Sequence, residues 1–232
     1  MGDLKKYRRE KSELNLLLKY FKPKGKIVID VGCGSGYLSF QLVRKGAFVF
    51  GLDIKEVIKR IKIGKYKKRP VFDEGTAEKL PFRKSFADVI IYYSSFHHVP
   101  KRKMKKALSE CKRVLKPGGL AIFVEPSPEK GCYYELLRIF KDEKEIQKYV
   151  YSVIKKPGKF GLISVKENYF YMNRMFKDYL NAVNRYIEQK DEREKVLNEA
   201  EAKMRKAIFK DREEYKNLFK STSRINIFRK ED

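Results

Sequence analysis

Between Val28 and Phe40 the chain reads VIDVGCGSGYLSF, and no other stretch limits its fold so narrowly. The apolar run from Lys26 to Gly32 is β-branched and does not alternate with polar residues, which predicts a parallel strand buried on both faces. Gly32, Gly34 and Gly36 follow at once, and then Leu38, Leu42 and Val43 take up helical spacing to near Gly46. A strand, a glycine loop and a helix in direct succession bring bare backbone and a helix N-terminus to one place. A ligand can approach such a place closely.

The alternation continues for the next eighty residues. AFVFGLDI predicts a second strand, with a helix from about Lys55. FADVIIYYSSF predicts another strand, Lys101 to Leu115 a helix, KPGG a turn and LAIFVEP a strand. Strand and helix in turn over residues 26–126 are the pattern of an α/β fold, a Rossmann-like, mostly parallel twisted sheet with helices on both faces.

Three observations narrow the ligand. The dinucleotide fingerprint G-x-G-x-x-G fails in both registers, because its third position falls on Tyr37 or on Ser39. No Lys-Ser or Lys-Thr follows the glycines, so a P-loop is excluded as well. Asp30, at the end of the strand beside the loop, would repel a pyrophosphate and suits a ligand carrying positive charge. Asp53 ends the second strand, where a carboxylate can accept both hydroxyls of a ribose.

With these residues in place, the sequence resembles the class I S-adenosylmethionine-dependent methyltransferases. VIDVGCGSG, GLDI, EGTAEKLPFRKSFADVIIYYSSFHHV and RVLKPGGLAIFVEP match in the family's order and cover about residues 26–126. The resemblance implies that Asp30, Gly32, Gly34 and Gly36 embrace the methionine part of S-adenosylmethionine. It further implies that Asp53 holds the ribose, that Ile54 lies against the adenine, that Thr76 and Ala77 sit at the adenine edge, and that the backbone of Tyr92 faces the methionine. Thr76 stands where many members carry an acid, so the acid's hydrogen bond to the adenine amino group is not carried over.

Methyl transfer needs a base only when the acceptor carries a proton at attack. His97 and His98 are the only histidines; both follow the FADVIIYYSSF strand, and an imidazole near pKa 6.5 can take such a proton. A structural role in the turn after the strand is the competing reading.

Outside the core, Leu4 to Phe21 carry apolar residues near helical spacing, predicting an N-terminal helix within residues 1–25. Beyond Pro126 the expectations are a helix over 131–155, a strand within 160–171, a helical insertion over 172–220 capping the substrate side, and a last strand at 224–229, all within a single domain.

The formal net charge of +25, from 55 Lys and Arg against 30 Asp and Glu, predicts attraction to polyanions such as RNA. A charged surface of this kind is also a thermophile habit, and the basic runs Lys55 to Pro70 and KRKMKK read first as solvated helix faces. Cys33, Cys111 and Cys132 show no metal or disulfide spacing, and no metal is expected. No signal peptide and no apolar run long enough to span a membrane is found, so the expected setting is the cytoplasm. The leading expectation is methylation of a small molecule with S-adenosylhomocysteine as product. A tRNA or rRNA methyltransferase and a non-catalytic binding protein are the alternatives.

Overall fold

The computed structural model describes residues 7–64, 68–127, 142–175 and 218–231. They fall into two compact units: a larger one with residues 12–64, 68–125, 149–168 and 224–231, and a smaller one with residues 7–11, 126–127, 142–148, 169–175 and 218–223.

In the larger unit, β2 (Ile27–Val31), β3 (Phe48–Asp53), β4 (Val71–Glu74), β5 (Ala87–Tyr93) and β6 (Leu115–Pro126) realise the predicted strands. With β7 (Leu162–Met175) and β8 (Leu218–Lys230) the order across the sheet is β7-β8-β6-β5-β2-β3-β4. β2 pairs in parallel with β3 and β5, β3 with β4, and β5 with β6. The strand that was apolar without alternation is thus central. Val28, Ile29, Ile90 and Ile91 are at most barely accessible, and each such burial contributes roughly 1.5–3 kcal/mol.

Helices α2 (Tyr37–Arg44) and α4 (Lys101–Val114) stand where expected. In α4, Met104, Ala107, Leu108, Cys111 and Val114 are buried at helical spacing, while Lys101, Arg102, Lys105 and Lys106 are exposed. The KRKMKK run is therefore mostly the solvated face of an amphipathic helix. KPGG lies inside β6 as an irregularity, with register passing from Ala87↔Leu115 to Val89↔Leu120 and Gly118 at φ 70. A Cβ on Gly119 would meet the carbonyl oxygens of Lys116 and Asp88 at 2.9 and 3.1 Å, so the strand can continue only through glycine here.

Three expectations change at the edges. Residues 4–21 do not form one helix: β1 (Tyr7–Arg9) precedes a five-residue α1 (Glu13–Leu17), whose start is capped by Ser12 Oγ accepting from the Asn15 N–H at 3.1 Å. Within the smaller unit β1 pairs in parallel with β7, and Tyr7 is buried with its ring edge-on to Tyr169 and its hydroxyl 2.7 Å from Ser127 Oγ. That tertiary pairing outcompetes the local helical spacing.

The helix after β3 is also short. α3 spans Lys55–Ile58, and Val57, Ile58 and Ile61 are only half-buried. The helical insertion loses its ends, because β7 runs to Met175 and β8 begins at Leu218, leaving 176–217 outside the described residues. Of the helix expected over 131–155, α5 (Lys144–Ile154) is described. The last strand is longer than its predicted 224–229 and places Arg224 in the core, its guanidinium 3.7 Å over the Tyr151 ring and its Nε–H donated to Asn226 Oδ1 at 2.8 Å.

Candidate active site

The glycine loop is fastened to the end of β3. Gly32 and Cys33 both donate their N–H to the Leu52 carbonyl, at 2.8 and 3.0 Å, and the Gly36 N–H donates to the Cys33 carbonyl at 2.9 Å. Gly32, Gly34 and Gly36 have φ of 73, 55 and 74, a region costly for other residues. A Cβ on Gly32 would lie 2.4 Å from Ser95 Cβ, and one on Gly36 would lie 2.4 Å from the Phe72 ring. Around a Cβ at Gly34 nothing among the described residues stands within 4 Å, so this glycine borders open space there. The N-terminus of α2 begins at Gly36 without a side-chain cap, so hydrogen-bonding capacity remains for a ligand.

Asp53 closes the loop from the β3 side. Its Oδ2 accepts from the Gly34 N–H and its Oδ1 from the Ile54 N–H, both at 2.8 Å. Each oxygen keeps a lone pair for a further donor. Ile54 follows with 54% of its surface exposed, an apolar side chain held out beside the carboxylate.

Asp30 behaves differently. It is 2% exposed and accepts from Ser39 Oγ at 2.6 Å. Burial raises its carboxyl from 3.8 to about 6, against the Ser39 bond and with help from the Asp53 and Glu13 charges. A half-ionisable carboxyl under the loop is a site that added positive charge would stabilise.

The other expected residues divide. Thr76 is exposed and bridged to Lys79, while Ala77 is 5% exposed beside it. The Tyr92 side chain is fully buried, stacked on Phe123 at 4.7 Å and edge-on to Phe96, with no hydroxyl partner among the described residues. Only its backbone can face a ligand.

His97 and His98 lie in a 3-10 turn, Phe96–His98, at the end of β5. His97 is 7% exposed with Nδ1 2.5 Å from Glu125 Oε2, whereas His98 is exposed, its ring 4.1 Å from that of His97. The other Glu125 oxygen accepts the Phe96 N–H at 2.9 Å. The preceding Ser95 donates its hydroxyl to the Val31 carbonyl at 2.6 Å and fills the space opposite Gly32. The histidine turn is thereby seated against the glycine loop.

Two residues of this arrangement were not singled out from the sequence. Ser39 is the third residue of α2, within its first turn, and Glu125 is an acid closing the apolar strand LAIFVEP, as Asp53 closes β3. An acid at a strand end was the available signal; its partner across the sheet was not.

The parallel sheet, with the glycine loop at the end of its central strand and Asp53 closing the neighbouring strand, is a Rossmann-like α/β arrangement. Residues 29–123 match the methyltransferase domain family. The chain is 35% identical over 102 residues to a tRNA (carboxymethyluridine(34)-5-O)-methyltransferase of Arabidopsis thaliana, which is 43% of this chain and 24% of that protein. It is 32% identical over 165 residues to a demethylmenaquinone methyltransferase of Lactococcus lactis, 68% of this chain and 61% of that protein. The chain thus spans less than two thirds of either relative. A candidate methyltransferase of Bacillus halodurans shares the fold, with a TM-score of 0.64 at 20% identity over 95% of this chain and 99% of that one. The matched region, residues 29–123, is thus a methyltransferase domain of the class I, S-adenosylmethionine-dependent kind.

Proposed function

We propose that this chain transfers the methyl group of S-adenosylmethionine to a small-molecule acceptor and releases S-adenosylhomocysteine. The observation that carries the proposal is the Asp53 carboxylate joined to the Gly34 N–H beside the exposed Ile54. A ribose needs the first and an adenine face the second. The residues fit the cofactor: Gly34 leaves space, Asp53 retains lone pairs, and the Asp30 charge lies under the loop where a cation would gain from it.

In this reading Asp53 holds the ribose hydroxyls, Ile54 covers one face of the adenine, and Thr76 and Ala77 border its edge. Gly32, Gly34 and Gly36 admit the methionine part, with the Tyr92 backbone opposite. Asp30 acts through its charge, because its side chain is already bonded to Ser39. When bound, S-adenosylmethionine supplies an electrophilic methyl group on a cationic sulfur. The protein's task is alignment and exclusion of water, worth on the order of 7–11 kcal/mol when geometry is good. His97 or His98 is the proton acceptor where the acceptor needs one.

A second reading, methylation of tRNA or rRNA, is favoured by the net charge of +25 and by the likeness to the Arabidopsis tRNA enzyme. The scattered thiols, with Cys33 and Cys111 buried and unpaired, support a reducing, cytosolic setting. Among the described residues no helix is long and apolar enough to cross a membrane.

Calorimetry with S-adenosylmethionine tests the cofactor, and absence of binding would return the chain to the non-catalytic alternative. Incubation with methyl-labelled cofactor and cell extract, with and without RNase, tests the acceptor. Label that survives RNase in low-mass material supports the small molecule, and label lost with RNase supports RNA.

A further inference from the structure

Arg224 on β8 is 3% exposed, and a guanidinium is rarely buried this deeply without a partner for its charge. Here the partners are incomplete. Its Nε–H donates to Asn226 Oδ1 at 2.8 Å, and its Cζ lies 3.7 Å from the centre of the Tyr151 ring. Asn226 Nδ2 donates to Glu167 Oε2 at 2.6 Å and the Tyr151 hydroxyl to Glu167 Oε1 at 3.1 Å, so one carboxylate fastens both residues that hold the guanidinium. Among the described residues Arg224 Nη2 has no hydrogen-bond partner, and no carboxylate pairs with the guanidinium directly.

The surroundings of this guanidinium favour an anion. Lys155 Nζ stands 5.8 Å from the centre of the same Tyr151 ring, so two cations face one acid in the cluster, and Glu167 is itself exposed and screened by water. The place also suits a ligand. β8 lies beside β6, with Lys230 Nζ donated to the Leu115 carbonyl at 2.6 Å and the Phe228 ring 5.7 Å from that of Phe123. Arg224, earlier on β8, therefore lies toward the carboxyl end of β6, the edge at which open α/β sheets take their ligands.

We propose that Arg224 binds a carboxylate group and that the methyl acceptor carries it. The inference rests on the methyltransferase reading and adds to it the acceptor's charge. Two carboxylate oxygens meet the planar fork of a guanidinium with two parallel hydrogen bonds. Nε is engaged by Asn226, which leaves the end-on fork of Nη1 and Nη2 among the described residues. Asn226 and the Tyr151 ring keep that fork from turning, so little freedom is lost when the anion arrives. A single negative charge balances the cluster, whereas a phosphate dianion brings a second one beside Glu167. Arg224 takes no part in the transfer itself; it anchors one group of the acceptor and leaves the attacking atom free to reach the methyl carbon.

The test uses the full chain and the nitrogen-15 spectrum of its arginine side chains. Arg224→Lys assigns the Arg224 Nε signal and, where that variant does not fold, Glu167→Gln assigns it through Asn226. Sodium acetate, against sodium chloride at equal ionic strength, should move this signal to saturation, and inorganic phosphate at pH 8 should move it less. No movement with acetate, or an equal response to phosphate, overturns the carboxylate site.

The acceptor is read separately, with methyl-labelled S-adenosylmethionine and small-molecule extract. Electrophoresis of the labelled product, freed of cofactor, should show one negative charge at pH 6 that is lost by pH 2, as for a carboxylic acid. Arg224→Lys should need roughly 10-fold or more of the extract for half-saturation, with S-adenosylmethionine affinity unchanged by calorimetry. A product whose charge is the same at both pH values, an unchanged half-saturation, or no product from a chain that binds the cofactor overturns the acceptor assignment. Failure of the wild type to bind S-adenosylmethionine sinks the underlying methyltransferase reading instead, and the acetate result then decides the site alone.

Discussion

Asp53 and Gly34 are joined by a 2.8 Å hydrogen bond from the backbone N–H to Oδ2, so the residue proposed to hold the ribose also holds the loop proposed to admit the methionine. Two parts of one ligand site share one carboxylate. Asp53→Ala should therefore weaken S-adenosylmethionine binding through both. With each charge-assisted bond worth about 1.5–3 kcal/mol, the loss should be roughly 10- to 100-fold in Kd. Isothermal titration calorimetry measures it, and an unchanged Kd would refute the assignment.

The three glycines should not be equivalent. Gly34→Ala meets no neighbour among the described residues and costs chiefly the left-handed backbone, about 1–2 kcal/mol. Gly32→Ala adds a collision with Ser95 Cβ, and Gly36→Ala one with the Phe72 ring, so both should be clearly less stable than Gly34→Ala. Chemical denaturation of the three variants ranks them. Equal losses would mean that the loop relaxes and that packing does not decide the positions.

Asp30 sets a pH dependence with a definite sign. Its carboxyl, raised chiefly by burial to about 6 from 3.8, holds a proton in the folded chain that the unfolded chain has released. Its contribution is fully present below about pH 4 and is lost as pH rises through about 6. Asp30→Asn removes that loss and keeps an oxygen for Ser39. At pH 8 the variant should be more stable by up to roughly 3 kcal/mol, with the gap closing below pH 4, and it should bind S-adenosylmethionine more weakly. Urea titrations at pH 4, 6 and 8 read the first effect. A variant less stable than wild type at pH 8 would contradict it.

Among the described residues the buried Tyr92 hydroxyl has no partner, and burial lifts its ionisation well above 10, so it sits neutral. Such a group costs about 1–3 kcal/mol. Tyr92→Phe, keeping the stack on Phe123, should raise stability by about 1 kcal/mol in urea unfolding without changing cofactor affinity. A loss of stability would show that the hydroxyl is satisfied in solution.

Much of the core was legible because its signals are local. An apolar run without alternation can only be a strand covered on both faces, as Val28 and Ile29 are. Three glycines at its end can only be a turn, as their positive φ confirms. The peripheral elements were not legible in this way. Tyr7 has helical neighbours in sequence, yet its partner is Tyr169, far along the chain.

The sequence by itself determined the α/β alternation, the glycine loop and the acids that close β2 and β3, since each follows from the order of neighbouring residues. Tertiary structure decided which groups those acids touch. It placed Ser39 on Asp30, Gly34 on Asp53 and Glu125 on His97. Hydrogen bonds form across distances in space that the sequence does not measure, and the parallel sheet is what brings strand ends distant in the chain to one edge.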